Sequence, residues 1–120
     1  MAGVDNYRDL QIWRKGMDLC EETYRFSREL PKDELYGLVS QMRRASVSVP
    51  SNIAEGFARK QSGIFGQHLR IAQGSLKELE TQLMICERVG FAEAARIAPL
   101  LALADEIGKM TRAFAKGLEI

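Results

Sequence analysis

The chain has 120 residues and a mass of 13.5 kDa, with a hydrophobic fraction of 46%, which is enough for one buried core and too little for two. A charged fraction of 28% is ordinary globular usage and excludes disordered, collagen-like and disulfide-scaffold classes. Lys plus Arg is 17 against 16 Asp plus Glu, a net charge of +1, so any nucleic-acid surface has to be a local patch. The expectation is a single domain over 1–120 with residues 1–6 flexible. No basic stretch leads into an apolar run at the N-terminus, and no window reaches the roughly 18 apolar residues of a membrane span. That predicts a cytoplasmic protein with no membrane partner.

In the first periodic segment Leu10, Trp13, Met17, Cys20 and Tyr24 follow at spacings of three, four, three and four, which places them on one helix face. Pro31 closes this helix. Asp33 can cap a second one, whose apolar positions are Leu35, Leu38, Met42, Val49, Ile53 and Phe57. Pro50 lacks an N–H and meets the carbonyl of Ser46, so the second helix should be kinked or split near it. Ser62 can cap a third helix, where Phe65, Leu69, Ala72, Leu76, Leu79, Leu83 and Cys86 keep the rhythm until Gly90. The fourth carries Ile97, Leu100, Ala104, Ile107, Thr111, Phe114 and Leu118, with its regular part expected to begin near Pro99. No strand-like alternation, repeat or long linker interrupts these segments. The prediction is an all-α, antiparallel up-down-up-down four-helix bundle, with helices crossing at roughly 20°.

With Leu10, Met17 and Tyr24 at heptad position a, the residues Ile12, Leu19 and Phe26 all fall at position c, away from the expected seam. Ile71, Ile85 and the adjacent Met84 form a similar outer row on the third helix, interrupted by Glu78. Such rows predict a self-association interface, the alternative being one wide intramolecular core. Cys20 and Cys86 lie within helical patterns and have no close cysteine partner, which reads as two reduced core residues.

Two continuous stretches say more than the periodicity. The first runs Tyr36-Gly37-Leu38-Val39-Ser40-Gln41-Met42-Arg43-Arg44-Ala45-Ser46-Val47-Ser48-Val49-Pro50-Ser51-Asn52-Ile53-Ala54-Glu55-Gly56-Phe57-Ala58-Arg59. The second runs Leu69-Arg70-Ile71-Ala72-Gln73-Gly74-Ser75-Leu76-Lys77-Glu78-Leu79-Glu80-Thr81-Gln82-Leu83. In order and position they resemble the second and third helices of the 23S rRNA intervening-sequence proteins, also called four helix bundle proteins. Tyr7-Arg8-Asp9-Leu10, Trp13 and Leu30-Pro31-Lys32 fit that family's opening, so the resemblance covers about Tyr7 to Phe91. It implies a cytosolic bacterial bundle that forms a ring, commonly a homopentamer, from genes often lying within insertions of 23S ribosomal RNA genes. It implies no established catalytic activity. The family is also similar to the accessory proteins of diversity-generating retroelements, pentameric bundles that bind a reverse transcriptase and nucleic acid, although fold alone does not transfer function. Ile64 and Pro99 depart from the family's more polar pattern.

Within the first stretch Gln41, Arg44, Ser48, Asn52, Glu55 and Arg59 recur every three or four residues as a polar stripe. On one reading the stripe binds a ligand, with arginines on phosphate and amides making directional hydrogen bonds. On the other, Arg44 and Glu55 pair across subunits and Asn52 bonds to backbone freed by Pro50. Residues 31–61 hold five basic residues (Lys32, Arg43, Arg44, Arg59, Lys60) against three acidic ones (Asp33, Glu34, Glu55). Repeated around a ring, Arg43, Arg44, Arg59 and Lys60, joined by Arg70 and His68, would build a positive rim for RNA. No aromatic pairs interleave with them as a base-stacking platform requires. The only histidine, His68, follows no Glu-x-x-His spacing, and the phosphate-loop, dinucleotide and nucleophile-elbow motifs are missing. The expectation is therefore no catalytic residue, metal site, cofactor or small-molecule substrate. The expected partners are other copies of the chain and RNA or a nucleic-acid-handling protein, the alternative being a protein scaffold with no nucleic-acid ligand.

Overall fold

Each apolar rhythm in the chain becomes a helix in the computed structural model, which describes residues 4–118. The helices are α1 (Gln11–Ser27), α2 (Ser40–Ala58), α3 (Ser62–Arg88) and α4 (Ala94–Gly117). A short 3-10 turn, Tyr7–Asp9, precedes α1, and the Asn6 side chain caps it by accepting the Arg8 N–H at 2.9 Å. Residues 1–3 of the expected flexible N-terminus lie outside the described residues. Tyr7 packs edge-on against Trp13, with ring centroids 5.3 Å apart.

Neighbouring helices run antiparallel, as short connections require. Cross-helix contacts fix the register: Arg43 reaches Ser27 and Ser46 faces Cys20 between α1 and α2, while Ser48 meets Ser75 and Asn52 meets His68 between α2 and α3. Arg96 on Glu29 and Lys15 on Glu106 tie α4 back to α1 and close the bundle. The molecule measures 46 × 22 × 20 Å, its long axis set by the 27-residue α3 at about 1.5 Å per residue. Among the described residues there is no strand and no helix long and apolar enough to cross a membrane.

The core is one cluster of mainly Leu, Ile, Val, Phe and Ala side chains drawn from all four helices. At one end Phe65 takes Phe57 and Phe114 edge-on, at 5.9 and 5.4 Å. Cys86 lies fully inside this core, and burial, with the nearby Glu34 carboxylate, pushes its thiol pKa up and keeps it unionised.

Several local expectations change. The α1 residues Ile12, Leu19 and Phe26, expected on an outer interface, are 3%, 0% and 0% exposed and belong to the core. The reason is that Gly16 and Thr23 complete their row. Gly16 faces Val49 and Pro50 of α2, where an added Cβ would stand in ordinary contact at 3.4 Å from Val49 Cγ1, and Thr23 turns its hydroxyl onto the Leu19 carbonyl at 2.7 Å. The neighbouring row Trp13, Met17, Cys20 and Tyr24 is left half-exposed, although Leu10 is buried.

The second helical segment is kinked as expected, with the bend of the joined stretch from Lys32 to Ala58 at Gly37, whose φ and ψ are both −112° inside a π-helical stretch Leu35–Val39, while α2 itself includes the buried Pro50. Glu34, not Asp33, caps that stretch, accepting the Leu38 N–H at 3.2 Å. Gln61 rather than Ser62 holds the extended position before α3. Helix α4 begins at Ala94, five residues before Pro99, because the carbonyl that Pro99 leaves free belongs to the exposed Ala95 and is open to solvent.

Candidate functional site

The polar stripe of α2 divides into a part turned toward α3 and a part that faces solvent. Ser48 and Asn52 stand one helical turn apart, and Ser75 and His68 occupy matching positions on α3. Ser75 donates its hydroxyl to Ser48 Oγ at 2.8 Å. Asn52 Nδ2 donates to the Ser48 carbonyl at 2.9 Å and to Ser48 Oγ at 3.0 Å, which leaves Oδ1 facing His68 Nδ1 at 3.0 Å. Because the amide nitrogen is committed to Ser48, His68 Nδ1 must be the donor in that bond. Asn52 thus satisfies its polar atoms locally, at the Ser48 carbonyl rather than at the Ser46 carbonyl freed by Pro50.

One turn further along, α2 and α3 approach so closely at Gly56 that a Cβ there would lie 2.6 Å from His68 Cβ and 2.9 Å from Phe65 Cδ1. The hydrogen-bond chain and this near-contact together set the α2–α3 register. The motif spacing pointed to Ser48 and Asn52. Their partners on α3 were not legible, because nothing in a single helix marks the register of its neighbour.

Facing solvent, Arg44 forms a ridge between two shallow grooves. Tyr24, Val47 and Ser51 line the groove against α1, and Gln41, Ser75 and Glu78 line the one against α3. Glu55 is not paired with Arg44 within the chain; it holds Arg59 at 3.3 Å on its own helix.

Within one chain the cations expected to line a ring's positive rim do not form a single cluster. Arg43 lies over the Tyr24 ring at 4.8 Å and donates its Nε–H to Ser27 Oγ at 2.9 Å, so it clasps α1. Arg44 and Arg59 are fifteen residues apart on one helix, about 22 Å along its axis. Lys60 occupies the left-handed region, with φ 57°, at the α2–α3 turn, and Arg70 is exposed on α3. Apolar side chains also meet solvent on α3: Ile71 is 52% exposed, and Met84 and Ile85 resemble it.

At the opposite end Arg96 makes a bidentate contact with Glu29, with nitrogen–oxygen distances of 2.6 and 2.9 Å, while stacking over Phe26. The guanidinium holds the Glu29 carboxyl below its usual pKa.

The chain matches no curated protein. A crystal structure of a protein of unknown function from the S23 ribosomal protein family of Bacteroides thetaiotaomicron is similar to it, with a TM-score of 0.78 and 19% identity, over 88% of this chain and 98% of that one. That likeness concerns the fold. The model of the 23S rRNA-intervening sequence proteins matches residues 8–113, which include both polar-stripe helices, the Ser48–Asn52–His68–Ser75 chain and most of α4, and the chain belongs to that family.

Proposed function

We propose that the protein is a non-catalytic adaptor that assembles with copies of itself into a ring, five subunits by family resemblance, and associates in the cytoplasm with RNA or a ribonucleoprotein. The observation that carries the assembly is the presence of two different apolar surfaces on one chain. Met17, Tyr24 and Val47 expose one on α1 and α2, and Ile71 and Ile85 expose the other on α3. Two unlike faces that meet each other make a head-to-tail contact, which generates a closed ring when the rotation closes. The buried row Ile12, Leu19 and Phe26 takes no part.

A non-catalytic role is favoured by the surroundings of His68, which is bonded to an amide rather than to a hydroxyl or thiol that it could activate. RNA association is favoured by Arg44, Lys60 and Arg70, exposed cations without an ion-pair partner among the described residues, which a ring would repeat in every subunit. The competing reading, a protein scaffold without nucleic acid, is favoured by Arg43 and Arg59, which are already engaged within the chain.

Filter retention of a structured RNA across a salt series separates the two readings. An RNA adaptor loses affinity steeply with salt, and Lys60→Glu with Arg70→Glu removes retention while the assembly persists. Retention that is absent at low salt, or unchanged in the double variant, selects the scaffold.

A further inference from the structure

The turn joining α1 to α2 carries a groove of about 260 Å³ that the polar stripe does not reach. Its floor is apolar: Leu30 and Val39 are buried there, while Leu35 is 47% exposed although it lines the same concavity. The π-helical stretch Leu35–Val39, bent at Gly37, brings Leu35 and Val39 to this edge. Arg28, Lys32 and Arg43 surround the floor, and no carboxylate lines it. Arg28 and Lys32 are exposed and make no ion pair among the described residues, and Arg43 spends its contacts on Ser27 and Tyr24 rather than on an acid. Asp33 and Glu34 belong to the same turn but do not line the groove, and Glu34 is turned onto the Leu38 N–H.

An apolar floor ringed by three cations with no acid of its own is complementary to an apolar group flanked by negative charge. The volume suits one large side chain and falls below the range of about 300 to 1,000 Å³ typical of small-molecule pockets. No aromatic ring lines the groove to stack a nucleic-acid base. We propose that this groove docks an acidic segment of a partner protein, which inserts one aliphatic or aromatic side chain against Leu35 and Val39 while its carboxylates meet Arg28 and Lys32. The site adjoins the α1–α2 face through Arg43, which stacks on Tyr24, but it is separate from Lys60 and Arg70, so it stands whether or not the chain binds RNA.

The test is fluorescence anisotropy of a labelled Glu-Glu-Phe-Leu-Glu-Glu peptide with the full chain. The expected dissociation constant is about 100 μM, ordinary for one anchored side chain with screened charges. Arg28→Glu with Lys32→Glu lowers affinity at least tenfold, Leu35→Ala lowers it severalfold, and Arg70→Glu leaves it unchanged. Because all of these positions are exposed, the variants keep the fold, which circular dichroism verifies. The proposal is overturned by absence of binding at millimolar peptide, by equal binding of a Lys-flanked or an Ala-Ala-centred peptide, by unchanged affinity in the Arg28/Lys32 variant, or by displacement of the peptide by a single-stranded RNA of equal charge.

Discussion

The row Ile12, Gly16, Leu19, Thr23 and Phe26 on α1 and the row Trp13, Met17, Cys20 and Tyr24 beside it share the same three-and-four spacing, yet the first is buried and the second stands half in solvent. The second row is the larger and more continuous in apolar side chains. What decides between them is the shape each offers to α2. Gly16 presents no side chain where Val49 and Pro50 of α2 pack, and Thr23, two turns on, folds its hydroxyl back onto its own helix, whereas Trp13 and Tyr24 carry large rings. Hydrophobicity therefore measures how much surface asks to be covered, and small residues determine which face is covered inside the chain.

The most direct way to break this comparison is truncation in each row. Leu19→Ala removes a fully buried side chain and should cost about 2 to 5 kcal/mol in a urea unfolding experiment, through lost transfer energy and the cavity left behind. Met17→Ala, in the half-exposed row, should cost less than about 1 kcal/mol when measured on the unassembled chain. A larger loss for Met17→Ala than for Leu19→Ala would mean that the two faces are assigned in reverse.

A second pair sharpens the role of small residues. Gly56→Ala places a methyl group 2.6 Å from the His68 Cβ, which is too close for the α2–α3 seam to keep its spacing, and should cost about 1 to 3 kcal/mol. Gly74→Ala, on α3 with nothing within 4 Å of its added carbon, should instead stabilise by about 0.5 to 1 kcal/mol through helix propensity. A thermal melt of Gly56→Ala that is unchanged or raised would contradict the close approach at Gly56, and a lowered melt of Gly74→Ala would contradict the open space there.

The smallest effect is electrostatic. The Glu29 carboxyl is held below its usual pKa by Arg96, so the contact is fully present above the unfolded value near 4.5 and is lost as pH falls through the lower folded value. Both side chains are solvent-accessible, and the contact is worth less than about 1 kcal/mol. Glu29→Gln should therefore lower stability slightly at pH 7 and not at all in strong acid. A difference from the parent that persists undiminished in strong acid would rule out the ion pair as its cause.

Much of the fold was legible from spacing alone. The unbroken four-three rhythm from Phe65 to Cys86 and the pattern from Ile97 to Thr111 each become a buried face, because a sustained 3.6 period has few alternatives to a helix. The second stripe on α1 was read backwards because Gly16 and Thr23 carry no apolar signal, although together they supply the missing members of its row. Pro99 misplaced the start of α4 because the cost of proline depends on whether the freed carbonyl is exposed, which spacing does not reveal. In the candidate site the polar stripe of α2 was visible, whereas its division into an Asn52–His68 seam and an Arg44 ridge depends on where α3 lies. The cations were counted correctly as a segment. Only tertiary geometry separates Arg43, clasped to Tyr24, from the free Arg44 one residue later.

The central claim is that two unlike apolar faces of this chain meet head to tail, and light scattering on complementary variants tests it most directly. Met17→Glu disables the α1–α2 face and Ile71→Glu the α3 face, so each variant alone should remain at the 13.5 kDa of one chain while the parent forms a larger closed species. Mixed in equal amounts, the two variants retain one intact face each, and the account predicts a heterodimer of twice the monomer mass and nothing larger. A parent that stays monomeric at micromolar concentration, or variants whose mixture shows no increase in mass, would contradict it.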